Sequence, residues 1–297
     1  MGSGHPECPE RLVAIEEALK AKALWPQLDH QVAKPVDMKV LELAHTQDLL
    51  QRLALPVPLG TYEFIDPDTC MNAQTYEAML LASGAVLQAV DAVMTDKTRH
   101  AFCAVRPPGH HAERAASMGF CFVNHIALAA LYARKKYKLT RVAVIDFDVH
   151  HGNGTEDILA NEEGVLMVSS FQQDIYPGSG SKPKGENIVN VPLRAGAGSA
   201  EIASMLEHHW IPQLEGFEPQ LLLISAGFDA HREDPLAGLA WTEDDYARIT
   251  DALVQVANAF CTGRIVSSLE GGYCLDALGR SVSSHIASLL KPSLRAA

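Results

Sequence analysis

Val142-Ala-Val-Ile-Asp146-Phe-Asp148-Val-His150-His-Gly-Asn153-Gly154 is the stretch that decides how this 297-residue chain folds. Four apolar residues, three of them β-branched, run straight into charge. An uninterrupted apolar run of this kind is what a strand covered on both faces leaves in a sequence. Side chains alternate across a strand, so Asp146, Asp148 and His150 are expected to project on one side. Three such groups in a core are costly unless something cationic neutralises them, and a metal ion would do so.

Outward from this stretch, similar apolar runs recur at residues 101–105, 165–169, 221–225 and 265–269, with 142–147 the second of five strands in chain order. Stretches with apolar positions at three-to-four spacing cover 75–94, 124–136, 200–210 and 242–260, the last with Thr242 as N-cap and Glu243, Asp244 and Asp245 in its first turn. Strands alternating with helices predict an α/β fold on a parallel sheet, whose ligands collect at the carboxyl ends of the strands. The N-terminal part is helical in tone over 9–24 and 37–53, with a Trp-Pro-Gln turn between, and 56–68 is a proline-rich loop. With no repeat and no long linker, residues 1–297 read as a single domain.

The composition, 47% hydrophobic and 20% charged, excludes disordered and low-complexity classes. A formal charge of −12 repels phosphate, so neither nucleic acid nor an anionic membrane is expected as a partner, whereas a cationic substrate is compatible. Six scattered cysteines without a CxxC pair suit a reducing compartment. The first residues lack a signal-type apolar core and no stretch reads as a bilayer span, so the expected location is cytoplasmic.

Chemistry gathers at the strand ends. Asp229 follows the 221–225 run and is a natural third ligand beside Asp148 and His150, with His231 as a rival; three protein ligands and an open position are the catalytic zinc pattern. Two carboxylates offset a divalent charge, so a separate base is needed. Arg106-Pro-Pro-Gly-His110-His111 presents adjacent imidazoles, and the phenol after Glu270-Gly-Gly could donate to an oxyanion at Tyr273. GxSxG, P-loop and complete GxGxxG signatures are missing.

HPECPERL (5–12), RPPGHHA (106–112), GFCFVNH (119–125), DFDVHHGNGT (146–155), YPGSG (176–180), SAGFDAHREDPL (225–236) and EGGY (270–273) together resemble the zinc-dependent histone deacetylase family, in its class II and bacterial deacetylase-like branch. The resemblance spans nearly the whole chain. It implies an arginase/deacetylase-like fold with a central, mostly parallel eight-stranded sheet flanked by helices. It also implies Zn2+ on Asp148, His150 and Asp229, and a structural K+ near Asp146, Ser169 and the carbonyls of Asp148 and His150. By the same resemblance Tyr273 is the transition-state tyrosine, His111 the base and then acid, and His110 an electrostatic partner. Asp146 stands behind His110, and Asn153 stands behind His111 where class I enzymes have aspartate. Phe120 and Tyr176 would wall an acyl-lysine tunnel, with Gly119 and Gly272 on the substrate path. Arg11 would lie near an internal channel and Asp68 would grip the substrate backbone. Leu236 takes a rim position where a polyamine-selective relative carries glutamate.

The implied activity is hydrolysis of acyl-lysine side-chain amides in proteins or peptides. Hydrolysis of a small acetylated amine such as a polyamine is the alternative, as is silent acetyl-lysine binding on the same fold. One departure is that family members begin with a strand and loop ahead of the His5 segment, where this sequence has four residues. Either that strand is absent or it was trimmed from this sequence, and its loss would leave a sheet edge open to solvent or paired with a second copy of the chain.

Overall fold

The computed structural model describes residues 1–291 apart from Ser3. The apolar runs form strands β3 (His100–Cys103), β4 (Val142–Asp146), β5 (Val165–Gln172), β7 (Leu221–Ala226) and β8 (Ile265–Leu269), and a further strand, β6 (Ile188–Leu193), joins them. A two-stranded hairpin of β1 (Glu63–Phe64) and β2 (Cys70–Met71) interrupts the proline-rich loop. The central sheet has the order β3-β8-β7-β4-β5-β6, and all of its pairings are parallel. Among the described residues it holds six strands and not the expected eight, and the four-residue β3 forms one edge, paired only with β8.

Helices cover both faces: α1 (Glu10–Ala21), α2 (Met38–Leu41), α3 (Gln47–Leu53), α4 (Thr75–Met94), α5 (His125–Tyr137), α6 (Asn153–Leu159), α7 (Ser199–Met205), α8 (Ile211–Phe217), α9 (Glu243–Phe260) and α10 (Leu275–Leu289). The strand period of two sorts the core. Ala143 and Ile145 of β4, with Leu222 and Ile224 of β7, pack in the cluster that contains α1, α9 and α10 residues. Val142, Val144, Leu221 and Leu223 pack in the opposite cluster with α4 and α5. Both faces of the central strands are thus buried, which is why these runs are continuously apolar.

Several boundaries differ from the sequence reading. The 37–53 stretch is two helices, because Thr46 caps a fresh start by accepting from the Leu49 amide at 3.4 Å. The 200–210 helix runs on through a π-helical segment, Leu206–Trp210, into α8. By length and composition α4 could cross a membrane, contrary to the expectation that no stretch would; half of it is buried in the fold, against α5 and β3, and its apolarity serves the core.

Reading along the chain, β4, β5 and β6 extend the sheet one way, and β7, β8 and β3 lie on the other side of β4. The topological switch therefore falls between β4 and β7, and the region beyond their carboxyl ends is where open α/β sheets bind their ligands. The exits of β3, β4, β7 and β8 carry His110-His111, Asp148-His150, Asp229 and Tyr273.

Candidate active site

β4 ends at Asp146, one residue earlier than expected, so strand alternation does not place Asp148 and His150. Carboxylate-to-backbone turns do. Asp146 Oδ1 accepts from the Asp148 amide at 3.1 Å, and Asp148 Oδ1 accepts from the His150 amide at 2.9 Å. Asp229 Oδ1 pins the same loop by accepting from the Val149 amide at 2.9 Å. One ligand atom from each of Asp148, His150 and Asp229 lies within 4.8 Å of the others. His150 Nδ1 is 3.2 Å from both Asp148 Oδ1 and Asp229 Oδ2.

Glycines make the room. A Cβ at position 227 would stand 2.0 Å from Asp148 Oδ2, and one at position 271 would stand 2.1 Å from Asp229 Oδ2. Two fully buried carboxylates this close repel: burial first, then the Asp148 charge, pushes Asp229 up to about 6. Burial acts on Asp148 too, but the imidazoles of His110 and His150 outweigh it and hold its carboxyl low. A compact oxygen, nitrogen, oxygen donor set with two buried carboxylates fits a divalent cation such as zinc. His231 is outside this set; its Nε2 is turned to Glu243 at 3.5 Å.

The tandem histidines leave β3 in a buried loop, their rings 4.0 Å apart. His110 Nδ1 faces Asp146 Oδ2 at 3.0 Å. Burial disfavours its cation, but Asp148 and Asp146 outweigh that and raise its pKa well above the ordinary value. His111 Nδ1 faces Asn153 Oδ1 at 2.8 Å. Asn153 is fixed in turn, because its Nδ2 donates to Glu113 Oε1 at 2.9 Å. The asparagine oxygen can therefore only accept, Nδ1 of His111 carries the hydrogen, and Nε2 keeps a free lone pair. Burial, and then the neighbouring His110 and His150, hold the pKa of His111 well below its ordinary value.

Residues 5–289 match the family model of the histone deacetylase domain. The chain belongs to the histone deacetylase family. It is 38% identical over 296 residues to the Synechocystis protein slr0245, covering 97% of this chain and 95% of that protein. It is 35% identical to the mouse polyamine deacetylase HDAC10, over 96% of this chain and 45% of that protein. This chain spans about a fifth to a half of such longer eukaryotic relatives. The crystal structure of the HDA15 HD domain superposes with a TM-score of 0.91 at 33% identity, covering 99% of this chain and 85% of that one.

In this deacetylase-family chain Tyr273 stands on the turn after β8. The Asp234 carboxylate accepts from the amides of Tyr273 at 2.7 Å and Cys274 at 3.2 Å, and Arg11 lies 5.0 Å over the phenol ring. Arg11 is fully buried and donates to the carbonyls of Gly272, at 2.7 Å, and Glu270. Burial, and to a lesser extent the charges of Asp229 and Asp148, raises the phenol's pKa well above its ordinary value, so it is a hydrogen-bond donor. Gly272 has φ +118°, a path that favours glycine.

The rim residues are also brought together. Tyr176 meets His111 edge-on at 5.1 Å between centroids, and Phe120 meets Tyr273 at 5.9 Å. Gly119, at φ +57°, leaves no space for a Cβ, which would fall 2.5 Å from His111 and 2.9 Å from the Tyr176 hydroxyl. Thr69 ties the β1–β2 hairpin to this wall by accepting from the Phe120 amide at 2.9 Å, and the neighbouring Asp68 is exposed. Leu236 is exposed, its amide donating to Asp234 Oδ1 at 3.1 Å. Ser169 pairs in register with Asp146, and its buried hydroxyl has no hydrogen-bond partner among the described residues.

Sequence reading assigned no part to Glu7, Glu113, Asp234 or Glu270. Glu7 is buried and grips the Arg106 guanidinium with both carboxylate oxygens. Only Glu270 carried a usable signal, an acidic residue following directly on a buried strand. The other three stand in polar loops, where a carboxylate looks like any solvated one.

Proposed function

We propose that this chain is a zinc-dependent amidohydrolase that removes acetyl or other acyl groups from the side-chain amine of lysine in proteins or peptides. The observation that carries the proposal is the closeness of two groups: a proton acceptor, His111 Nε2, set by Asn153, and a buried three-ligand cluster whose His150 ring lies 5.9 Å from that of His111 and 6.3 Å from that of Tyr176 between centroids. Asp148, His150 and Asp229 would hold the metal, which when bound acts as a Lewis acid on the acyl carbonyl and on water. His111 takes the proton of the attacking water at Nε2. Tyr273 donates a hydrogen bond from its phenol, keeping its proton, to the carbonyl oxygen as it becomes an oxyanion. His111 then returns the proton to the departing lysine amine, so that proton uptake and release balance over the cycle. His110, held by Asp146, supplies positive charge beside the developing negative charge.

K+ is proposed beside Asp146 and Ser169, where the unpartnered hydroxyl of Ser169 would coordinate the ion. Soaking with rubidium should give an anomalous peak there, and no peak would remove this site.

Acyl-lysine is favoured over acetylpolyamine because Leu236 gives a distal ammonium no carboxylate partner. The relative named a polyamine deacetylase keeps that second reading in view. The test is turnover of an acetyl-lysine peptide and of acetylspermidine by zinc-loaded enzyme, with and without chelator. Chelator-sensitive peptide turnover, restored by zinc and exceeding that of acetylspermidine, is expected. Faster acetylspermidine turnover would reassign the substrate, and inactivity on both with zinc bound would leave a binding protein.

A further inference from the structure

Glu270 is fully buried at the end of β8, the strand lying between β3 and β7. Its Oε2 accepts from the Gly109 amide at 2.6 Å and the His110 amide at 3.1 Å, and its Oε1 accepts from the Ser225 hydroxyl of β7 at 3.1 Å. One carboxylate therefore bridges the exits of three neighbouring strands. From the geometry we infer that Glu270 is a positioning residue that locks the His110-His111 loop to the turn carrying Tyr273. The inference deepens the amidohydrolase reading and rests on it for its kinetic consequence.

The loop needs such a lock. β3 is a short edge strand held from one side only, and the residues after Arg106 are Pro107 and Pro108, which have no amide hydrogen to give. Gly109 and His110 are the first donors beyond the prolines. Both are buried, and both end on Glu270. Buried amides of this kind must find an acceptor, and no sheet partner is in reach. On the other side of Glu270 the turn is fully tied: the Gly271 amide donates to Asp148 Oδ2 at 2.8 Å, the Gly272 carbonyl accepts from Arg11, and the Tyr273 amide donates to Asp234. A shift of the histidine loop relative to this turn would change the distance between His111 Nε2 and the phenol. Misplacement of about 1 Å costs on the order of a hundredfold in rate.

Position and charge can be separated. Glu270→Gln keeps the reach: its oxygen can accept from both amides while its NH2 donates to Ser225. Glu270→Asp keeps the charge but is one methylene shorter. The experiment measures kcat, KM and zinc content of the loaded enzyme on an acetyl-lysine peptide, with amide hydrogen exchange of Gly109 and His110 by NMR. For the Asp variant we expect kcat lower by about thirtyfold, KM within about threefold, zinc retained and both amides exchanging faster while Ile145 and Ile224 stay protected. For the Gln variant we expect kcat within about threefold of wild type and slow exchange at both amides.

An Asp variant with wild-type kcat, or a Gln variant that falls as far as Asp, overturns the inference. If the Asp variant does not fold, the Gln variant and the wild-type exchange rates still decide it. Gly109 and His110 exchanging as fast as exposed loop amides in wild type would also overturn it. Slow exchange in a wild type that cannot deacylate would leave the lock standing and remove the functional reading.

Discussion

His111 has a neutral partner where a carboxylate would have stabilised its cation, and this sets the pH at which it works as a base. Its pKa lies below the ordinary value because burial and two neighbouring imidazoles disfavour the charged form. The base is therefore free down to low pH, and the acid limb of kcat/KM should lie on the acid side of neutral. Asn153→Asp supplies the missing counter-charge, raises the imidazole pKa, and should move that limb to higher pH by about one to two units. An unmoved limb would mean that another group controls the profile. At this scale the sequence pointed to Asp148, His150, Asp229 and Tyr273 because each stands within four residues of the end of an apolar run, and the structure draws the first three together. It was silent on Glu113 and Asp234. Their work is to accept one or two hydrogens from groups distant in sequence, Asn153 and the Tyr273 amide, and no local pattern marks that.

At the scale of elements, four strand exits meet because the sheet reverses direction between β4 and β7, and glycines at the exits let the backbones close on the carboxylates. Gly271→Ala would push a methyl group into Asp229 Oδ2. The turn is tied on both sides, so the carboxylate should yield before the backbone does. Zinc affinity is expected to drop by about tenfold or more with the fold retained, measured by competition with a chromophoric chelator and by circular dichroism. Unchanged affinity would show that the crowding at this glycine has no part in the site. The buried strands were legible because both of their faces are covered, and the α9 start was legible from Thr242 and the acids after it. β6 was missed because it is an edge strand, half-exposed and containing Asn190 and Pro192, which blur its apolar pattern. The break between α2 and α3 depends on one side-chain cap, and amphipathic spacing runs across it.

The whole molecule carries a set of imidazoles away from the site that fold in the neutral form. Burial lowers His45 and His125 to about 4 and His285 to about 3. Each has hydrogen-bond partners for both ring nitrogens: Glu113 and Asn124 for His45, Ser83 and Pro107 for His125, Thr250 and Ser267 for His285. The unfolded chain takes up these protons near pH 6.5 and the folded chain refuses them until about pH 4 or below. Each of these imidazoles should therefore cost stability as pH drops below 6.5, on the order of 2 kcal/mol apiece at pH 5, against the opposite slope of the buried carboxylates Asp229 and Glu270, pushed up to about 6 and about 7. Urea unfolding of wild type and His285→Gln at pH 7 and pH 5 checks this: the variant should lose less stability, or gain more, between pH 7 and pH 5 than wild type does. The same pH dependence in both would refute the assignment.

At this scale the α/β class and the parallel sheet followed from the alternation of apolar runs and amphipathic stretches. Strand number did not, because it depends on short and edge strands whose ladders hold only a few residues.

On this reading Asp148, His150 and Asp229 grip one divalent cation. Anomalous diffraction at the zinc edge from crystals grown with zinc tests it most directly. One peak is predicted among these three side chains, with ligand distances of about 2.0–2.2 Å. A protein that crystallises with the three groups empty, or with its zinc elsewhere, would contradict it.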